Sequence, residues 1–480
     1  MNKSLKYLMV SIALILLTAC GSNSHSDNGV VTPTPTPPPN TTPPLEEERS
    51  ITIYIHGFSK TGYKRSGLYG SNEPISANPE FAKLVGFSTN YQGMNTNFKE
   101  NIIVSTSYYG DQPPEYYSQS DIEDIDIVTT KYGGGIPRYA MIVAKYAKHI
   151  MSESGATKIN FLSVSMGSLV SRWIIENNVE NLSSDKRIGK WLSVEGVVAG
   201  NYAASDPTLI KIANLYEEQS PEVEHMSYSW IESNLGSTRV TNSPYYRDIQ
   251  VGFESSTDDN DMQGILTKYL LLKGRYIPND GYQLVDDTLF SISSQANYFN
   301  SLLPLRSYFH ETHTGLKNNS AAWAQSALFF SSKRRVEVTL THVRVDDIHE
   351  EDSLKPAEIV FASSIKSPQL AEVSHITQAV DRRDIDGGAL RIHSYHNNGE
   401  NLILDQSIFD GFVRPDEIAL TITISGYEID NSLKYNIKES SPNNIEDIGE
   451  STFNIPLQNG THPIVAKDWS GEVSVKIYPY

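Results

Sequence analysis

FLSVSMGSLVSR, residues 161–172, is the stretch on which the reading of this chain turns. Ile159, Phe161, Leu162 and Val164 form an apolar run, and Met166, Leu169, Val170, Trp173 and Ile174 then recur at helical spacing. A strand therefore enters a helix through one tight turn with Ser165 at its apex. Such a turn lifts a hydroxyl clear of the backbone only if the residues two positions either side are small, so that strand and helix can approach. Ser163 and Gly167 meet that condition for Ser165, whereas Ser163 has Phe161 at its own minus-two position and fails it.

Outward from this turn, short apolar runs alternate with helical patterns. Ile51–Ile55, Ile102–Thr106, Lys158–Val164, Trp191–Val198 and Lys268–Lys273 read as strands, and Tyr139, Ile142, Val143, Tyr146 and Ile150 mark a helix across 137–154. That rhythm predicts a parallel sheet with crossover helices. After about residue 334 the period changes to two, as in Val336–Leu340 and Ile418–Ile424, with turns rich in Asp, Asn, Gly and Pro. An antiparallel β-sandwich of seven or eight strands is expected there. A length of 480 residues also exceeds what one core organises.

With these elements laid out, VSMGSLVSR resembles the nucleophile elbow of α/β-hydrolase lipases, with serine where that family usually has Gly or Ala. In that fold a serine, an acid and a histidine follow one another along the chain, each at the carboxyl end of a strand. The resemblance implies Ser165 as nucleophile and the backbone N–H groups of Phe58 and Met166 as the oxyanion hole, Phe58 following the strand that ends in His56-Gly57. It places the acid at Asp280 in an Asn-Asp-Gly segment, with Asp286 and Asp287 as competitors, and the base at His313 in HTGL, with His310 as rival. His56 precedes the serine and is expected to be structural. A helix is expected at 320–330. The resemblance covers roughly residues 50–330 and implies hydrolysis of carboxylic, above all fatty-acyl, esters without cofactor or metal. An amidase or thioesterase on the same residues, a phospholipase, or an inactive surface-binding lipoprotein are the alternatives.

Two segments bear on specificity. The long interval of about 200–264, with Tyr216, Met226, Tyr228, Trp230 and Ile231 among its acidic residues, reads as a lid or a surface insertion. The tyrosines of 108–117 either line an acyl pocket or pack its rim. Acidic runs such as Asp346-Asp347 read as a solvated face, since no EF-hand spacing accompanies them. The second domain is similar to C2-like sandwiches.

The amino terminus is a targeting segment. Lys3 and Lys6 precede an apolar run from Leu8 to Leu17, and Leu17-Thr18-Ala19-Cys20 resembles the lipobox of bacterial lipoproteins, with Cys20 as the lipidated first mature residue. Gly21 and Ser22 lack the aspartate associated with inner-membrane retention, so an outer-membrane lipoprotein is expected. The TPTPTPPPNTTPP tract favours polyproline II and reads as a tether. The expected layout is signal peptide 1–19, lipidated Cys and tether 20–49, hydrolase domain 50–332 and β-sandwich 333–480. Cys20 is the chain's single cysteine, so no internal disulfide is possible. Without the signal, 37 basic against 57 acidic residues give a net charge of −20, a surface that repels nucleic acid.

Overall fold

The computed structural model describes residues 50–59, 62–71, 88–89, 102–214, 220–259, 265–273, 277, 279–291, 299, 304–309, 311–316, 318–332, 334–348, 356–366, 373–375, 393–429 and 445–479. The signal segment, Cys20, the tether, His310 and Tyr216 lie outside them.

Seven described strands form the central sheet: β1 (Ser50–Ile55), β2 (Ser88–Thr89), β3 (Ile102–Ser105), β4 (Lys158–Val164), β5 (Ile188–Val194), β6 (Gln250–Ser256) and β7 (Leu305–Phe309). Their order is β2-β3-β1-β4-β5-β6-β7, and every pairing is parallel. The α-helices among the described residues are α1 (Gln119–Tyr132), α2 (Gly135–Ser154), α3 (Gly167–Glu176), α4 (Tyr202–Ser205), α5 (Pro207–Asn214), α6 (Pro221–His225), α7 (Tyr228–Leu235), α8 (Ile265–Leu272), α9 (His313–Leu316) and α10 (Ser320–Ser331). Local chemistry sets their ends: α1 opens with a reciprocal Ser118–Asp121 capping box and stops at left-handed Gly133. Ile53, Phe161 and Trp191 of the sheet and Ile142, Val143 and Leu169 of α2 and α3 are wholly buried in one core.

Nine described strands follow, β8 (Arg334–Val345), β9 (Ala357–Lys366), β10 (Val373–His375), β11 (His393–Tyr395), β12 (Glu400–Phe412), β13 (Ala419–Ile429), β14 (Ile445–Pro456), β15 (Gly460–Val465) and β16 (Trp469–Pro479). They pair antiparallel in two sheets, β10-β9-β13-β14 with β11 on β9, and β12-β8-β16-β15. Inner-face residues of both sheets, such as Phe361 and Trp469 with ring centroids 5.3 Å apart, share a core. The chain thus has an α/β-hydrolase fold followed by an all-β antiparallel sandwich.

Two sequence expectations are corrected. Lys268–Lys273 is not a strand: residues 268–272 lie in helix α8, with Leu266 and Leu270 buried against Leu209 and Leu284. The strand that fills that place is β6, which lies inside the interval of about 200–264 expected to be a lid or a surface insertion. It went unnoticed because only Val251 and Phe253 are large and apolar. Its other buried residues are Gly252, Glu254, Ser255 and Ser256, which meet polar partners: Ser326 Oγ donates to Glu254, and Ser256 Oγ to Glu195. What remains between β5 and β6 is the helical segment α4–α7.

The sandwich grips the β7 edge. Arg335 Nε and Nη2 donate to Asp410 at 2.7 and 2.5 Å, and Asp410 also accepts from the backbone N–H of Arg306 at 3.3 Å. Ser307 Oγ donates to the Asp410 carbonyl. Between sheet and sandwich runs α10, in which every residue from Ala321 to Phe330 is buried. A helix buried all round is the one that needs no polar face.

Candidate active site

β4 ends at Val164 and α3 begins at Gly167, so Ser165 occupies the turn between them with φ +51°, a left-handed conformation costing a non-glycine residue on the order of 1–3 kcal/mol. The turn is held from outside: Ser165 N–H donates to the Val194 carbonyl at 3.0 Å, and Val197 N–H donates to the Ser165 carbonyl at 2.9 Å. Gly167 is required by proximity, since a Cβ there would stand 2.4 Å from the Ile55 carbonyl and 2.6 Å from that of His56. Ser163, where the motif usually has glycine, is fully buried. Its hydroxyl pairs with Ser171 Oγ and accepts from Trp191 Nε1 at 3.2 Å. The extra hydroxyl is absorbed by partners rather than by space.

The structure brings Ser165, His313 and Asp280 together from three segments. His313 Nε2 is 3.2 Å from Ser165 Oγ, and His313 Nδ1 is 2.7 Å from Asp280 Oδ2. The Asp280 side chain is 1% exposed and that of His313 16%. Asp280 is aimed by its own turn: Oδ1 accepts from the N–H groups of Tyr282 and Gln283, and its backbone pairs with Gln283 and with His313 N–H. The competitors are engaged elsewhere. Asp286 binds Arg239 at 2.6 Å, and Asp287 accepts from Tyr228 Oη at 2.7 Å while burial pushes its carboxyl up to about 7.

Phe58 and Met166 flank the serine. Met166 caps the N-terminus of α3, where backbone N–H groups lack intrahelical acceptors. A Cβ on Gly57 would touch Ser165 Cβ at 3.0 Å, so the segment carrying the Phe58 amide runs directly beside Ser165. His56 is not the base; its ring stacks on Tyr108 with centroids 3.9 Å apart. Tyr108 Oη donates to the His56 carbonyl at 2.5 Å and to the Gly57 carbonyl at 3.1 Å. Tyr108 and Tyr109 are therefore buried props under this segment rather than an open pocket wall.

One residue at the site was missed in the sequence. Glu195, immediately after β5, has its carboxylate Oε2 3.7 Å from His313 Nδ1. The available signal was a charged residue closing the apolar run Trp191–Val194 at the carboxyl edge of the sheet.

The chain matches no protein-family model and no curated protein sequence. Among solved structures it is similar to phospholipase PlaB from Legionella pneumophila (11% identity, 87% of this chain and 91% of that one, TM-score 0.33). It is also similar to the lipase BlEst2 of Bacillus licheniformis (13% identity, 58% and 90%, TM-score 0.31). A third likeness is to a C2 domain of plant Extended Synaptotagmin 1 (10% identity, 31% and 96%, TM-score 0.20).

Proposed function

We propose that this chain is a serine hydrolase that cleaves carboxylic, in particular fatty-acyl, esters through an acyl-enzyme. The observation that carries the reading is the imidazole of His313 bridging Ser165 Oγ and Asp280 Oδ2 at 3.2 and 2.7 Å. In this reading Ser165 Oγ attacks the ester carbonyl while His313 Nε2 takes its proton, and Asp280 holds Nδ1–H and stabilises the imidazolium. The oxygen's developing charge falls on the amides of Phe58 and Met166, each worth on the order of a hundredfold or more in rate. Collapse breaks the bond to the alcohol, which leaves with the proton from His313. Water then attacks the acyl-enzyme, His313 again taking the proton, and the acid departs.

We further propose that Cys20 is lipidated and holds the enzyme at a bacterial outer membrane through the proline-rich tether, close to its lipid substrate. The test is a p-nitrophenyl ester chain-length series on the full chain beside Ser165→Ala. Loss of turnover by about 10⁴-fold or more, with loss of fluorophosphonate labelling, is expected. Undiminished hydrolysis in the variant would sink the proposal. For the anchor, Cys20→Ala is expected to move the protein from the membrane fraction to the soluble one.

A further inference from the structure

We propose that Glu195 is a second acidic partner of His313, a positioning residue whose carboxylate stabilises the imidazolium formed when Ser165 gives up its proton. The inference rests on the serine-hydrolase reading above.

The backbone supplies the first observation. Glu195 has φ +49°, so neighbouring strands β4 and β5 each end in a left-handed non-glycine residue, Ser165 and Glu195. The two turns are tied together. Ser165 N–H donates to Val194, Val197 N–H donates to Ser165, and Glu195 N–H donates to the Glu254 carbonyl at 2.7 Å. Strain imposed by the surrounding ladder on a charged residue beside a reactive serine is the pattern of a functional position.

Charge supplies the second. The Glu195 side chain is 2% exposed, with Oε1 accepting from Ser256 Oγ at 3.0 Å and Oε2 3.7 Å from His313 Nδ1. A carboxylate that deep in the protein calls for a compensating cation. Among the titratable residues of the adjoining segments, Glu254 of β6 meets Glu195 through its carbonyl, Asp280 shares His313 Nδ1 with it, and Asp286 and Asp287 bind Arg239 and Tyr228. His313 is the group that becomes positive when the reaction starts. Asp280 accepts the Nδ1 proton at 2.7 Å, while Glu195 contributes charge to the same nitrogen from 3.7 Å. A shift of about 1 Å brings Glu195 into hydrogen-bond range should Asp280 be removed.

The test uses the full chain and its Glu195→Gln, Glu195→Asp, Asp280→Ala and Asp280→Ala/Glu195→Gln variants. Two profiles are recorded against pH: kcat/KM for a short p-nitrophenyl ester, and the rate of Ser165 labelling by a fluorophosphonate. Removing a carboxylate beside the imidazole makes it easier to deprotonate, so E195Q is expected to move the acid limb of both profiles to lower pH by about one unit. E195D restores most of the shift. Residual turnover in Asp280→Ala is expected to fall about tenfold or more when Glu195→Gln is added, a larger factor than Glu195→Gln costs alone. An unmoved acid limb, with the same factor in both backgrounds, overturns the inference and makes Glu195 merely structural. If Glu195→Gln does not fold, Ser256→Ala releases Oε1 without changing charge. An upward shift of the limb then supports the inference and an unmoved limb overturns it. Hydrolysis that survives Ser165→Ala overturns the hydrolase reading itself, an outcome distinct from a Ser165-dependent profile that Glu195 fails to move.

Discussion

Replacing Ser163 by glycine, the residue usual at its position in the elbow motif, is expected to weaken the fold and spare the chemistry. The hydroxyl it removes accepts from Trp191 Nε1 at 3.2 Å, and Trp191 is wholly buried. Leaving that indole N–H unpaired costs about 1–3 kcal/mol. Glycine in a strand interior adds roughly 0.5–1 kcal/mol of chain entropy. Ser171 loses less, because its hydroxyl also donates to the Gly167 carbonyl at 3.2 Å. The total is about 2–4 kcal/mol, read as a lower urea midpoint at unchanged slope. Ser163→Ala separates the terms, since it keeps the hydrogen-bond loss and drops the glycine penalty. The hydroxyl points to α3 and Trp191, so kcat for a short-chain ester is expected to stay within roughly threefold. A large fall in kcat with the urea midpoint unmoved would refute this reasoning and put Ser163 in the chemistry.

Two further outcomes follow from buried charge. Arg335→Met leaves the buried Asp410 carboxylate without its guanidinium partner at the β7 edge, and a loss of about 3–5 kcal/mol in urea unfolding is expected, most of it recovered in Arg335→Met/Asp410→Leu. Glu222, on α6 and fully buried, has its carboxyl raised by burial from an ordinary 4.5 to about 7. The folded state thus keeps a proton that the unfolded chain has already lost, so stability falls as pH rises through this window and levels off above it. Glu222→Gln removes that dependence and is expected to gain on the parent by about 3 kcal/mol between pH 4.5 and 8. Parallel stability curves for the two proteins would show that Glu222 does not titrate there.

What was legible in the sequence is what hydrophobic period and tight turns encode. The strand–serine–helix unit, the Asp280 turn and the His313 segment each carry a local signature, and the switch to period two at residue 334 announces the sandwich. β6 left no such mark, because a strand can be buried through matched polar pairs such as Ser256 with Glu195, and hydropathy scores those residues as exposed. Conversely, Leu270-Leu271-Leu272 is apolar enough for either strand or buried helix, and the packing of Leu266 and Leu270 against Leu209 and Leu284 decides. Glu195 is a matter of three dimensions: its relation to His313 spans 118 positions of sequence and is created by the side-by-side order of β5, β6 and β7.

The all-round burial of α10 has a consequence for how this chain can change over time. With Trp323 facing a shared core and Phe329 packed edge-on against Phe412 of β12, neither half can be shed without stranding a greasy helix in water. Proteolytic clipping near residue 333 is therefore expected to yield aggregates rather than a liberated hydrolase. In lineage terms the sandwich is an inseparable co-folding companion, free to drift on its outer faces and locked on the face that meets α10.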